Sequence, residues 1–366
     1  MANRKPMTDQ PPPARHILTF AQTLDGGGVE RAMLRLAGLW IARGRRVTIV
    51  VGQGGGALAG EMPAGAEVIE LGTARYAALA RAVPRLVRER RPDAIFCPGN
   101  HYTGVAAWTR LRLGRACPPI VGKVSNALVR RDHRWQALPY RVWLHRHPRF
   151  LDAVVAMSPN MAAEAVEEMR IARDRVHVIP NPPARSDPAA PPLALPPRYL
   201  IGVGRLAPQK RWDRALTALA GIADRTVPLV ILGEGSLRAE IMAHAAALGL
   251  ADRVLLPGHA ADPLPAIAGA ELLVLTSDFE GVPGVLREAL SLGTPVVTTD
   301  SSVAVREIVA DPARGSVVAV GDASALVAEI DAWLSGRARP QPLVDSGDPA
   351  ADYLRLFDSL VSSPAS

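Results

Sequence analysis

Two cysteines, Cys97 and Cys117, in 366 residues exclude a disulfide-stapled scaffold and point to a reducing compartment. No uncharged apolar run reaches about 18 residues, so nothing predicts a bilayer-spanning helix. Residues 1–15 are polar and Pro-rich and lack the apolar stretch of a secretion signal. Lysine is scarce: Lys5, Lys123 and Lys210 are the 3 lysines among 42 basic residues, the other 39 being arginine, which we read as genomic bias. There is no G-x-x-x-x-G-K-[ST], which argues against P-loop chemistry, and no Asp-x-Asp to hold a metal on a nucleotide diphosphate. Zinc spacing, basic-aromatic strand motifs and a helix-turn-helix signature are also missing, so no nucleic-acid partner is expected. No repeat of about 20–50 residues is found.

What is present suits a soluble globular chain of two domains: 48% hydrophobic residues, 21% charged, and a length beyond one typical domain. Charge is uneven. Residues 1–185 carry 28 Lys+Arg against 14 Asp+Glu, a net of +14; residues 186–366 carry 14 against 21, a net of −7. A basic half implies an anionic partner: nucleic acid, a phosphate-bearing substrate or an anionic membrane face.

Short apolar runs at 16–20, 47–52, 68–71, 93–97, 120–124 and 153–157 read as strands covered on both faces. Helical periodicity fills gaps such as 29–43 and 75–91. Prolines crowd 180–197, which breaks the pattern. It restarts with strands at 199–203, 229–232, 254–256, 272–275, 296–298 and 317–320. Alternation of this kind predicts the α/β class, as two Rossmann-like doubly wound parallel-sheet domains facing across a cleft. We place an N-terminal domain at 1–185, a linker at 186–197, a C-terminal domain at 198–345, and a final helix in 346–366 that packs back on the first domain.

Three loops carry candidate chemistry. Asp25-Gly-Gly-Gly-Val-Glu30 follows the first strand; its glycines allow close approach of an anion to a helix start. Gly202-Val-Gly-Arg-Leu-Ala-Pro-Gln-Lys210 approximates G-x-G-x-x-A, with Asp224 about twenty residues on, so an NAD(P)-dependent oxidoreductase using Gly202 to Ala207 is the alternative reading. Against it, Pro208 delays the helix, and Arg205 and Lys210 place two cations suited to a diphosphate. The third loop runs from Ser277 to Glu288. Glu280 is expected at the carboxyl end of a strand and Glu288 about one turn into the next helix. Gly281 and Gly284 leave backbone N–H groups for a phosphate, and two acceptor-only carboxylates can grip vicinal hydroxyls of a sugar and a ribose.

These residues resemble the family 4 glycosyltransferases, retaining enzymes of the GT-B fold. The resemblance rests on E-x7-E at Glu280 and Glu288 with its flanks, on Gly204-Arg-Leu-x-x-x-Lys210, Leu232-Gly-Glu-Gly235, Val178-Ile-Pro-Asn-Pro182 and Gly27-Gly-Val-Glu-Arg31. It spans roughly residues 16–334. It implies that Gly204, Arg205 and Lys210 bind the donor diphosphate and that Glu288 accepts hydrogen bonds from the ribose. Glu280 would hold the donor sugar together with the backbone of Gly281, Val282, Pro283, Gly284 and Val285. Gly233 and Glu234 would line the nucleotide pocket, Gly258 and His259 would meet the base, and Gly27 and Gly28 would approach phosphate or acceptor from the opposite domain. Several members of the family place a histidine after the fifth strand, where this chain has Ser125 or Asn126. His101 is then the nearest cleft histidine, counted with Glu280, Arg205 and Lys210 as catalytic, and Asn126 would orient the acceptor. The expected co-substrate is a nucleotide diphosphate sugar, with no metal and no other cofactor.

The acceptor side is read from the basic half. Arg130, Arg131, Arg134, Arg141, Arg146 and Arg149 are interleaved with Trp135, Tyr140, Trp143 and Phe150, which suits an anionic membrane surface and a lipid-linked or growing glycan acceptor. The protein is therefore expected in the cytoplasm, peripheral at the inner face of the membrane.

Overall fold

Parallel strands made of three to eight residues form two sheets, each wound by helices on both faces. The computed structural model describes residues 14–25, 27–128, 137–184, 186, 189–343 and 347–362. In the N-terminal lobe the chain runs β1 (His16–Thr23), α1 (Gly28–Ile41), β2 (Arg46–Gln53), β3 (Glu67–Glu70), α2 (Tyr76–Arg90), β4 (Ala94–Cys97), α3 (Thr103–Leu113), β5 (Ile120–Lys123), α4 (Ala137–Leu144), β6 (Ala153–Ala156), α5 (Pro159–Met169) and β7 (Val176–Val178). The C-terminal lobe runs β8 (Leu200–Val203), α6 (Trp212–Gly221), β9 (Leu229–Leu232), α7 (Arg238–Ala247), β10 (Val254–Gly258), α8 (Leu264–Gly269), β11 (Leu272–Leu275), α9 (Gly284–Ser291), β12 (Val296–Thr299), α10 (Val305–Ile308), β13 (Gly315–Val318) and α11 (Ala323–Leu334). Then α12 (Pro349–Ser362) follows.

The strand orders are β3-β2-β1-β4-β5-β6-β7 and β10-β9-β8-β11-β12-β13. In each sheet the winding direction reverses once, between β1 and β4 and between β8 and β11, and both of these pairs are parallel. At such a reversal the two following loops diverge to opposite faces and leave a crevice at the carboxyl ends of the strands. The loops after β8 and β11 hold Lys210 and Glu280, and those after β1 and β4 hold Gly27 and His101. Central strands such as Leu272–Leu275 are buried along their whole length, which explains their unbroken apolar run. Strand β7 was not expected: it is the edge strand, three residues long with a polar His177 in its middle.

Helix α12 returns to the N-terminal lobe. Its Tyr353 and Phe357 pack edge-on against Trp40 of α1 at 5.7 and 5.3 Å, and Tyr353 also meets Phe96 of β4 at 5.3 Å. Edge-on pairs of this kind add about 0.5–1.5 kcal/mol each beyond the area they bury. The lobes also touch near the cleft, where Val282 and Ala304 join an apolar cluster of the N-terminal lobe. Two residues of the expected membrane face turn the other way. Trp143 on α4 and Phe150, beyond the end of that helix, stack on each other at 5.5 Å and pack against the core of the N-terminal lobe. Arg130, Arg131, Arg134 and Trp135 lie outside the described residues.

Candidate active site

Lys210 closes a short 3-10 turn, Pro208–Lys210, in the loop after β8; Glu280 lies within the loop between β11 and α9. The turn exists because Pro208 presets a tight bend, and it is followed by Arg211 in the left-handed region (φ 49°) before α6 begins. A non-glycine residue there costs of order 1–3 kcal/mol and persists where its surroundings hold it. Here Asp213 at 2.8 Å and Asp278 at 3.3 Å grip the Arg211 guanidinium and raise its pKa, hydrogen bonding from Asp213 being the main cause. Arg214 joins at 2.6 Å from Asp278. The strained turn is thus clamped to the neighbouring loop, and Thr276 Oγ1 donates to the Lys210 carbonyl at 3.0 Å.

That clamp aims Lys210 at Glu280. Nζ lies 2.6 Å from Oε1, and Ser277 Oγ donates to the same oxygen at 2.6 Å. The Glu280 backbone N–H donates to the Ser301 carbonyl at 2.9 Å, and the residue is 8% exposed. Charge-assisted bonds this short are strong, and a partly dry setting strengthens them. Arg205, in contrast, is exposed; its carbonyl accepts from Trp212 Nε1 at 3.0 Å while its guanidinium has no partner among the described residues.

Glycine decides how closely the loops pack. A Cβ on Gly233, at φ +150°, would stand 2.0 Å from the Gly204 carbonyl oxygen, so the loops after β8 and β9 meet only because that side chain is absent. Beside them Glu234 pairs with Arg238 at 3.0 Å, and a Cβ on Gly258 would lie 2.8 Å from Glu234 Oε1. Partial burial, and then Arg31 of the other lobe, lowers the His259 pKa. Gly281 lets the lobes come close: a Cβ there would stand 2.3 Å from the Ser125 carbonyl oxygen.

Helix α9 starts at Gly284 after Pro283, and no side chain caps it. Gly284 has open space where a Cβ would be. Its first N–H groups, including that of Val285, can therefore receive an anion, with the helix dipole adding attraction. Glu288, one turn in, points across the cleft to Arg35 of α1 at 3.5 Å. On the facing lobe, Gly27 precedes α1 without a side-chain cap, and Gly28 begins it with open space beside it. Asn126 Oδ1 accepts from the Ala127 N–H at 2.9 Å, and its carbonyl accepts from Asn100 Nδ2 at 3.1 Å. His101, next to Asn100, is exposed, and its Nε2 lies 2.8 Å from Gln22 Oε1.

The structure joins Lys210, Glu280 and the α9 loop in one crevice, and sets Gly27, Gly28, His101 and Asn126 on the opposite lobe. Several partners were not anticipated: Ser277, Arg211, Asp278, Arg35 and Gln22. Their common signal is position at or just beyond the carboxyl end of a strand that borders a winding reversal, or in the helix that follows it. The dinucleotide alternative finds no support. Between β8 and α6 stand a 3-10 turn and a left-handed residue, and Asp224 lies in the loop entering β9, at the end of the sheet away from the crevice, bonded to Arg198 and Thr226. Among the described residues no group of three His, Cys, Asp or Glu side chains could hold a metal ion.

The glycosyl transferases group 1 family matches residues 185–347, and the glycosyl transferase 4-like domain family matches residues 27–182. The chain is 27% identical over 278 residues to the lipopolysaccharide 1,6-galactosyltransferase of Escherichia coli strain K12, covering 73% of each protein. It is 34% identical over 134 residues to the N-acetylgalactosamine-N,N'-diacetylbacillosaminyl-diphospho-undecaprenol 4-alpha-N-acetylgalactosaminyltransferase of Campylobacter jejuni, where the match covers 37% of this chain and only 36% of that relative. Among solved structures, Anabaena HepE in complex with UDP and glucose superposes with a TM-score of 0.71 at 21% identity, covering 95% and 96% of the two chains. The lipopolysaccharide outer core galactosyltransferase WaaB, apo form, gives 0.63 at 20% identity over 94% of each. With two wound lobes, a cleft between them and a family match on each lobe, this chain belongs to the group 1 glycosyl transferases and has the GT-B fold.

Proposed function

We propose that the protein moves a sugar from a nucleotide diphosphate sugar to a lipid-linked or glycan acceptor in lipopolysaccharide or related cell-surface polysaccharide synthesis, with retention at the anomeric carbon and without a metal. The observation that carries this reading is the Lys210–Glu280 pair set beside the uncapped start of α9. A diphosphate entering that crevice meets Lys210, the unpartnered Arg205 and free N–H groups, which together supply the charge compensation a metal gives elsewhere. Glu280, freed in part from Lys210, accepts from sugar hydroxyls, and Glu288 accepts from the ribose. As the anomeric C–O bond to phosphate breaks, the acceptor hydroxyl oxygen bonds to the same face of that carbon. Its proton passes to the departing phosphate oxygen, so no strong protein base is required. The products are a nucleoside diphosphate and a lengthened glycan.

Support for the acceptor class comes from relatives whose names describe action on lipopolysaccharide and on a diphospho-undecaprenol-linked sugar. Attachment to the inner membrane face draws on α4, where Leu138, Tyr140 and Val142 are exposed beside Arg141. No helix among the described residues is long and apolar enough to cross a membrane. Incubation with a panel of nucleotide sugars and membrane lipid extract tests the reaction: a product whose anomeric configuration matches the donor is expected, and an inverted product overturns retention. Chelator should leave the rate intact; loss restored by magnesium overturns metal independence. Vesicle sedimentation at low salt should favour anionic over neutral lipid, and equal binding removes the membrane proposal.

A further inference from the structure

The hydrogen-bond inventory around His101 dictates which ring nitrogen bears the hydrogen. Gln22 Nε2 lies 2.6 Å from the carbonyl oxygen of Ala74. A carbonyl only accepts, so the Gln22 amide must present its NH2 group there and its Oε1 elsewhere. That Oε1 lies 2.8 Å from His101 Nε2. An amide oxygen also only accepts, so Nε2 carries the hydrogen. In the neutral imidazole Nδ1 is then an open acceptor, and it has no hydrogen bond among the described residues.

The ring is exposed yet fixed. Tyr76 and Tyr102 hold it edge-on at 5.3 and 4.9 Å. The Tyr76 hydroxyl donates to the His101 carbonyl at 3.1 Å, and the Tyr102 hydroxyl donates to Glu30 at 2.8 Å while accepting from the Gln22 N–H at 3.0 Å. Neither hydroxyl is left to satisfy Nδ1. The wall that carries the ring is tied to the donor loop: Ser125 N–H donates to Asn100 Oδ1 at 2.9 Å, and Ser125 is the residue whose carbonyl meets Gly281.

We propose that His101 Nδ1 accepts the hydrogen of a non-reacting hydroxyl on the acceptor sugar, and that Gln22 is the positioning residue that fixes the tautomer this requires. The subsite takes a hydroxyl or another hydrogen-bond donor and rejects a carboxylate or an ether oxygen at that point. It rests on the transferase reading above. The reacting hydroxyl keeps its own proton for the departing phosphate, so His101 orients and does not act as a base.

Two measurements test the proposal. Nitrogen NMR of the histidine rings in the whole protein, with the signal identified by its loss in His101→Asn and followed in the neutral form of the ring, should show the hydrogen on Nε2; a hydrogen on Nδ1 overturns the assignment. In kinetics with the donor and acceptor fraction that give product in the panel above, His101→Asn keeps an acceptor atom near Nδ1, whereas His101→Gln keeps only the contact near Nε2. The acceptor KM should rise about tenfold in His101→Gln and less than about threefold in His101→Asn, with affinity for the nucleoside diphosphate unchanged in both. Equal losses in the two variants, no loss in either, or altered nucleotide affinity overturns it. A chain that transfers no sugar in the panel sinks the transferase reading whatever the spectrum shows.

Discussion

The two lobes share a wound parallel sheet and a winding reversal, but what they hold at that reversal differs in kind. After β8 and β11 the C-terminal lobe gathers ions: Lys210 with Glu280, and Arg211 and Arg214 with Asp278. After β1 and β4 the N-terminal lobe gathers uncharged donors and acceptors that end on one carboxylate: Gln22 joins Ala74 to His101, and Tyr102 joins Gln22 to Glu30. An ion pair can turn its cation toward an incoming anion while the released carboxylate takes up hydroxyl donors of the same ligand. A chain of neutral donors and acceptors cannot neutralise a diphosphate, yet it can order hydroxyls at little desolvation cost. The proposed division of labour between donor and acceptor would match the type of bond each lobe uses.

The comparison breaks most sharply at Lys210. Lys210→Ala removes the cation expected to meet the leaving diphosphate and strands Glu280, whose side chain is only 11% exposed. We expect kcat/KM to fall by roughly 10²–10³-fold, the scale seen when one preorganised charge-stabilising donor is lost. Lys210→Ala combined with Glu280→Gln should regain thermal stability but not rate, since the stranded charge is gone and the phosphate contact is not restored. A double variant that regained the rate would show the pair to be structural.

Next in size is Glu288→Ala. Loss of the carboxylate proposed to accept from the ribose should weaken nucleoside diphosphate binding by roughly tenfold or more in calorimetry, with the acceptor KM unchanged. An equal rise in acceptor KM would mean that the charged and neutral walls do not serve separate substrates.

How much of this was legible in the sequence follows the same divide between local and distant information. Alternating strands and helices could be read because a strand buried on both faces, such as β11, is a continuous apolar run. The three-residue β7 could not, since three residues carry no periodicity. Lys210 and Glu280 were identified one by one from the residues around them. Their contact was not, because it depends on β8 lying next to β11, and alternation does not encode strand order. Arg35 opposite Glu288 and Gln22 opposite His101 were hidden for the same reason. The reading of Trp143 and Phe150 as interfacial fails for a related reason: their burial depends on an apolar cluster assembled from distant parts of the N-terminal lobe.

A third prediction concerns Lys123, a cation buried in the N-terminal lobe. Lys123 ends β5, is 4% exposed, and donates to Asn181 Oδ1 in the stretch leaving β7. Burial pushes its ammonium down to about 7, with Glu30 opposing in part. Between about pH 7 and the ordinary lysine range near 10.4 the unfolded chain holds a proton that the folded chain has lost. Stability contributed by this site therefore rises with pH across that window, by at most about 1.4 kcal/mol per pH unit. Below pH 7 both states are protonated and the penalty is constant. Urea unfolding at pH 7, 8 and 9 should show a positive slope that Lys123→Met reduces; an identical slope in the variant would mean that Lys123 stays charged, and that this lobe tolerates a buried ion after all.

The smallest effect tests the place where the two chemistries meet. Arg35 is the N-terminal lobe's cation directed at the donor wall, 3.5 Å from Glu288, with side chains 27% and 19% exposed. A partly exposed pair at that distance contributes about 0–1 kcal/mol. Arg35→Ala should therefore weaken nucleoside diphosphate binding by no more than about fivefold. If Arg35 acts only by steering the Glu288 carboxylate toward the ribose, adding Arg35→Ala to Glu288→Ala should cost nothing more, because the group it steers is already gone. Full additivity would instead mean that the guanidinium reaches the phosphates itself. The boundary between an ionic donor wall and a neutral acceptor wall would then run through α1 rather than along the gap between the lobes.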